Sequence, residues 1–105
     1  MTHLTTHILD ATAGAPAAGV AVVLSGPDGE IADGRTDADG RLALGPDVLE
    51  AGDYALTFET GPYFSARGVE TFYPSVTIAF VVAELPHYHV PLLLSPFGYS
   101  TYRGS

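Results

Sequence analysis

Residues 75–95 read SVTIAFVVAELPHYHVPLLLS, two runs whose side-chain character alternates with period two. Successive side chains of a β-strand point to opposite faces, so each run divides into two surfaces. In the first, Val76, Ile78, Phe80 and Val82 form an apolar stripe opposite Ser75, Thr77, Ala79 and Val81. In the second, Tyr88, Val90, Leu92 and Leu94 oppose His87, His89, Pro91, Leu93 and Ser95. Both read as strands with one face in a core. A Leu, a Pro and two His make an odd solvated face, and contiguous apolar surface marks interaction sites. An oligomer built on that face is expected.

Outward from this pair, turn signals recur at short intervals: TAGAPAAG, SGPDGE, TDADG, GPD, EAGD, ETGPY and SPFG. β-prone runs fill the gaps, at 4–11, 20–25, 30–36, 41–45, 53–60, 75–84, 87–95 and 98–103. That spacing belongs to an all-β sandwich or barrel rather than to βαβ units. In DYALTFET, Tyr54, Leu56 and Phe58 face inward and Asp53, Thr57 and Glu59 outward. The segment GPYFSARGVETF after Thr60 has no strand alternation and is expected to hold one short helix. There is no internal repeat or linker, and 105 residues fit one domain spanning 1–105.

Composition narrows the function. With 47% hydrophobic residues the chain is outside the disordered class. A net charge of −8, no lysine, and arginines scattered at 35, 41, 67 and 103 argue against nucleic acid and anionic membrane as partners. Without cysteine there is no thiol nucleophile, disulfide or thiolate metal site. The start MTHLTTHILDATAG has neither a basic head nor an apolar run, and no stretch is long enough to span a bilayer, so a soluble, cytoplasmic protein is expected.

The face pattern also gathers candidate chemistry. Leu4 and Ile8 suit the core, which turns His7 outward beside Thr5 and Leu9; Leu42 and Leu44 point in and Arg41 out. Arg103 shares a strand face with Tyr99, Thr101 and Ser105. His7, Arg41, His89 and Arg103 are thus expected to meet outside the core. Neutral imidazole can take a proton from water, and a fixed guanidinium can stabilise the oxyanion formed when water adds to a carbonyl. The pattern points to hydrolysis. Each such residue also has an ordinary reading as solvated surface. His3, near the terminus, is expected at the surface. His87 and His89 have His-x-His spacing but no clear third metal ligand. In TDADG the first position of a calcium loop falls on Arg35, so a hairpin turn is expected there. No G-x-S-x-G elbow or glycine-rich phosphate loop occurs.

LTTHILDATAGAPAAGVAVVL near the start and HYHVPLLLSPFGYSTYRGS at the end, with TDADGRL and TFYPSVTIAF between, resemble the 5-hydroxyisourate hydrolases, or transthyretin-related proteins. The terminal Tyr-Arg-Gly-Ser is the most specific element. The resemblance implies a transthyretin-like β-sandwich of two four-stranded antiparallel sheets with a short helix after the fifth strand. It implies a homotetramer whose outer strand faces form a ligand channel. The implied activity opens the six-membered ring of 5-hydroxyisourate, a purine-derived product of urate oxidation, to 2-oxo-4-hydroxy-4-carboxy-5-ureidoimidazoline, with no metal or organic cofactor.

Carried over residue by residue, the resemblance implies catalytic roles for His7, Arg41 and His89. Tyr102, Arg103 and the hydroxyl or terminal carboxylate of Ser105 would line the substrate site, so residues added after Ser105 are expected to damage activity and spare the fold. Either His7 or His89 would deprotonate water, and Arg41 would hold the developing negative charge. His87 lies outside the motif and is given no catalytic role. The alternative is a carrier of small aromatic ligands, the function of transthyretin itself, which lacks the Tyr-Arg-Gly-Ser ending and the paired histidines. A purely structural sandwich would leave His7, Arg41 and His89 unexplained.

Overall fold

The computed structural model describes residues 3–105 as two sheets packed face to face. Nine strands, β1 (Leu4–Asp10), β2 (Ala15–Pro16), β3 (Ala21–Gly26), β4 (Gly29–Arg35), β5 (Arg41–Leu44), β6 (Gly52–Phe58), β7 (Val76–Val82), β8 (Tyr88–Ser95) and β9 (Gly98–Thr101), accompany one helix, α1 (Thr60–Ser65). One sheet runs β4-β3-β6-β7. The other runs β2-β1-β8-β9, with β5 also paired to β1.

Two details depart from the expected sandwich. The second sheet has five strands because Leu9 and Asp10 pair with the two-residue β2. Its central pair, β1 and β8, is parallel, with Thr5 opposite His89 and His7 opposite Pro91. The other strand pairings are antiparallel. TDADG is likewise not a β-hairpin. Its backbone closes on itself, Asp37 N–H donating to the Arg41 carbonyl at 2.9 Å, but the strands it joins, β4 and β5, lie in different sheets.

The period-two stripes become the core. Leu4 and Ile8 of β1, Val22 and Leu24 of β3, Leu56 and Phe58 of β6, Val76 and Val82 of β7, and Leu92 and Leu94 of β8 are buried between the sheets. Each such side chain contributes about 1.5–3 kcal/mol of apolar burial. Helix α1 sits where strand alternation stops, and buries Thr60, Tyr63 and Phe64 at helical spacing. Its Pro62 falls in the first turn, where a missing N–H costs nothing. Tyr63 ties the helix to β1 by donating to the buried Asp10 Oδ2 at 2.9 Å, while Asp10 Oδ1 accepts from Thr12 and Ala13 N–H.

His3 is not at the surface. It is buried, its Nδ1 accepts from Leu49 N–H at 2.9 Å, and its Nε2–H donates to the Leu85 carbonyl at 2.7 Å. The ring thereby pins two loops to the start of β1. Leu93 on the outer face of β8 and Phe97 in the β8–β9 turn remain exposed, as does Tyr99 of β9, which lies opposite Leu94 and so faces the other side of the sheet. Among the described residues no helix is long and apolar enough to cross a membrane.

Candidate active site

Three adjacent strands bring the predicted residues together. Along β1 the burial alternates, so Thr5, His7 and Leu9 face outward while Leu4, Thr6 and Ile8 face in. Antiparallel β5 sets Arg41 opposite His7, and parallel β8 sets His89 opposite Thr5. Arg41, His7, Thr5 and His89 therefore occupy neighbouring positions on one outer face. The loop before β5 fixes the register: Gly40 has a φ of +73°, and a Cβ there would run into the Ile8 carbonyl. Only glycine takes that turn without strain.

A cleft of about 580 Å³ opens over this face, lined by Thr5, Arg41, His87, His89 and Ser105, with Arg35 and Asp37 among the groups at its wall. Asp37 Oδ1 accepts from the backbone N–H of Asp39 and Arg41 at 2.8 and 3.0 Å. The Arg41 N–H is the main reason the Asp37 carboxyl sits below its usual range; partial desolvation opposes it, and the charges of Arg41 and His7 add to it. His7 donates from Nε2 to the Asp39 carbonyl at 3.0 Å, so in the neutral ring the lone pair lies on Nδ1.

His89 is held more tightly. Its Nδ1 lies 2.8 Å from Thr5 Oγ1, and the same hydroxyl lies 2.9 Å from His87 Nε2. Burial, first, and the charges of Arg41, His7 and His87 push its pKa below 6.5, against a weaker opposing contact with the Thr5 backbone. Its surroundings thus favour the neutral ring. Beyond β9 the chain continues in the β8–β9 register: Gly104 N–H donates to the His89 carbonyl at 2.8 Å, an isolated antiparallel bridge that lays the last residues along β8.

That bridge divides the terminal tetrapeptide. Ser105 enters the cleft with His89. Tyr102 and Arg103 instead line a neighbouring hollow of about 330 Å³ with Ile78, Phe80 and the other flank of His89. Among the described residues, no group of three or more His, Asp or Glu is placed to hold a metal ion; His87 and His89 share the Thr5 hydroxyl. Three site residues escaped the sequence reading. Thr5 was legible only as an outward neighbour of His7, His87 as a neighbour of His89, and Gly104 carried no signal beyond its place in the ending.

A two-sheet sandwich bearing imidazoles and a guanidinium on the outer face of one sheet defines a transthyretin-like protein equipped for polar chemistry. The chain belongs to the HIUase/Transthyretin family, whose model matches residues 4–104. It is 53% identical to the 5-hydroxyisourate hydrolase of Caulobacter vibrioides, over the whole of both chains. Its fold matches the structure of Klebsiella pneumoniae 5-hydroxyisourate hydrolase with a TM-score of 0.90 and 46% identity, covering 97% of this chain and 98% of that one. Transthyretin from Sparus aurata matches equally in shape, TM-score 0.90, at 35% identity over 99% of this chain and 97% of its own.

Proposed function

We propose that this chain hydrolyses 5-hydroxyisourate to 2-oxo-4-hydroxy-4-carboxy-5-ureidoimidazoline in urate degradation. The observation that carries the reading is His89 sharing a cleft with Arg41, beside His7, on a sandwich whose full-length relatives are named 5-hydroxyisourate hydrolases. An imidazole takes a proton from water as the oxygen adds to the ring amide carbonyl. Arg41 and a neighbouring donor hold the negative charge that develops on the carbonyl oxygen, where oriented donors contribute most. The C–N bond then breaks, the carbonyl carbon stays attached to its ring carbon as the new carboxyl group, and the proton passes to the departing nitrogen.

Ser105 faces the same cleft as His89 and is placed to meet the substrate; Tyr102 and Arg103 close the site from the adjoining hollow. A homotetramer is supported by the exposed Leu93 on the outer face of β8 and Phe97 in the adjoining turn, which a second copy would cover. The carrier reading rests on the shape shared with Sparus aurata transthyretin. It gives the imidazole–guanidinium grouping no task.

The test is ultraviolet decay of 5-hydroxyisourate, generated fresh from urate and urate oxidase, against the spontaneous rate. The wild type is expected to accelerate decay, and His7→Ala and His89→Ala each to lose on the order of 10²-fold or more while still folded. Losses below about tenfold at both positions would remove the acid–base assignment. Decay at the spontaneous rate with folded wild type would return the chain to the carrier class.

A further inference from the structure

Thr5 Oγ1 sits between two rings, 2.9 Å from His87 Nε2 and 2.8 Å from His89 Nδ1. A hydroxyl has one proton and two lone pairs, so both rings could donate to it; with no other acceptor for the Thr5 proton among the described residues, the arrangement that uses that proton has one ring donating to the hydroxyl and the other accepting from it. Two directions exist. In one, His87 Nε2–H donates to Thr5, and the Thr5 O–H donates to His89 Nδ1. In the other, His89 Nδ1–H donates to Thr5, Thr5 donates to His87 Nε2, and His87 carries its own proton on Nδ1.

The surroundings of His87 decide between them. Its Nδ1 is buried and has no hydrogen-bond partner. A proton there would be an orphaned buried donor, a rare defect that costs about 1–3 kcal/mol. Protonating both His87 nitrogens would create the same orphan and add a charge. With Nδ1 bare, His87 gives its one proton through Nε2, and the first direction follows.

Resting on the hydrolase reading, we infer that His87 and the Thr5 hydroxyl form a one-way hydrogen-bond chain that locks His89 as its Nε2–H tautomer, making both positioning residues for the reaction. His89 then offers the cleft a donor, not a lone pair. Its task is to hold the carbonyl oxygen alongside Arg41 as charge develops there. The base is His7, whose Nε2–H is committed to the Asp39 carbonyl and whose Nδ1 carries the lone pair of the neutral ring. The division resolves which of two outwardly similar histidines removes the proton from water. It also gives His87 a function that its place outside the cleft motif conceals.

The tautomers can be read directly from long-range proton–nitrogen correlations on the folded, nitrogen-15-labelled protein. His89 is expected to show a bare Nδ1 and a protonated Nε2, and His87 likewise. Thr5→Val, which keeps the shape and removes the hydroxyl, is expected to release the His89 tautomer. It should lower kcat by roughly ten- to a hundredfold with KM little changed, and Thr5→Ser should restore both. His87→Gln, which keeps an N–H donor near Thr5, should hold activity close to wild type, and His87→Phe should lose it as Thr5→Val does. A proton on His89 Nδ1 in active wild type would overturn the inference, and so would a Thr5→Val protein with unchanged kcat and tautomer. Inactive wild type would instead overturn the hydrolase reading, and with it the catalytic purpose of the chain, whatever the spectrum.

Discussion

Replacing Gly104 by Ala tests whether the terminal segment holds the site. A Cβ on Gly104 would lie 2.5 Å from His89 Cδ2 and 3.2 Å from Cγ. Ordinary contact begins near 3.4 Å, so ring and segment must separate by roughly 0.9 Å. Two relaxations compete. Forcing the His89 ring aside is an overpacking change of about 1–3 kcal/mol, and it strains the 2.8 Å contact with Thr5. Peeling the segment from β8 gives up the 2.8 Å bond from Gly104 N–H to the His89 carbonyl, worth about 1 kcal/mol. The second is the cheaper, and it carries Arg103 and Ser105 away from His89.

Either way the site loses its geometry while the sandwich keeps its core. A misplacement near 1 Å costs on the order of 10²-fold in rate. Gly104→Ala is therefore expected to reduce kcat/KM for 5-hydroxyisourate about a hundredfold. A loss near 1 kcal/mol lowers the Tm of a domain this size by at most about 4–8 °C. The assay pairs substrate decay with thermal melting of the same sample. Activity within about threefold of wild type would refute the reasoning, since the ångström-scale displacement would then be catalytically silent. A Tm collapse beyond about 15 °C would refute it differently, by making Gly104 a residue of the fold.

Other sites give separate tests. Tyr63→Phe removes a donor from buried Asp10 and should cost about 1.5–3 kcal/mol, seen as a lower urea midpoint at unchanged slope, with the rate per folded molecule intact. Burial, then Asp10, raises the Tyr63 pKa, so its contribution holds below the ordinary value of 10.0 and is lost as pH climbs through the higher folded value; Tyr63→Phe should flatten that alkaline decline. His3→Ala strands Leu49 N–H and the Leu85 carbonyl and should cost about 2 kcal/mol or more in the same urea experiment; a cost under about 0.5 kcal/mol would contradict its pinning role. By NMR, His89 should titrate below 6.5 in wild type and higher in Arg41→Gln, and its contribution to stability should be present above pH 6.5 and fall away as pH drops through the depressed value; a wild-type midpoint at or above 6.5 would contradict the assigned environment.

The strands were legible because burial on one face writes a period of two into the sequence. Val76, Ile78, Phe80 and Val82, and Tyr88, Val90, Leu92 and Leu94, sit as their alternation requires. Alternation says nothing about partners, so the parallel pairing of β1 with β8 was invisible, and with it the contact between Thr5 and His89. His7, Arg41 and His89 could be placed on outer faces from neighbouring apolar residues alone. His3 could not, because the groups that bury it come from residues 49 and 85, far along the chain. The TDADG turn shows the same limit: its internal hydrogen bonds follow from local sequence, but the sheet each flanking strand joins does not.

The division between faces also bears on how one sandwich hosts different functions. Sparus aurata transthyretin matches this chain in shape as well as the Klebsiella pneumoniae hydrolase does, so the sandwich alone selects no chemistry. On β1 the inward Leu4 and Ile8 are fully buried, while the outward Thr5 and His7 hydrogen-bond to β8, to His87 just before it, and to the β4–β5 loop. Exchanging the outward residues leaves the apolar stripe intact, and surface substitutions away from such features cost within about 0.5 kcal/mol. The inward stripe holds the strands rigid, and that rigidity keeps Arg41, His7, Thr5 and His89 in register across three strands. Function can change on this scaffold without paying in stability because the residues that set the geometry are not the residues that do the chemistry.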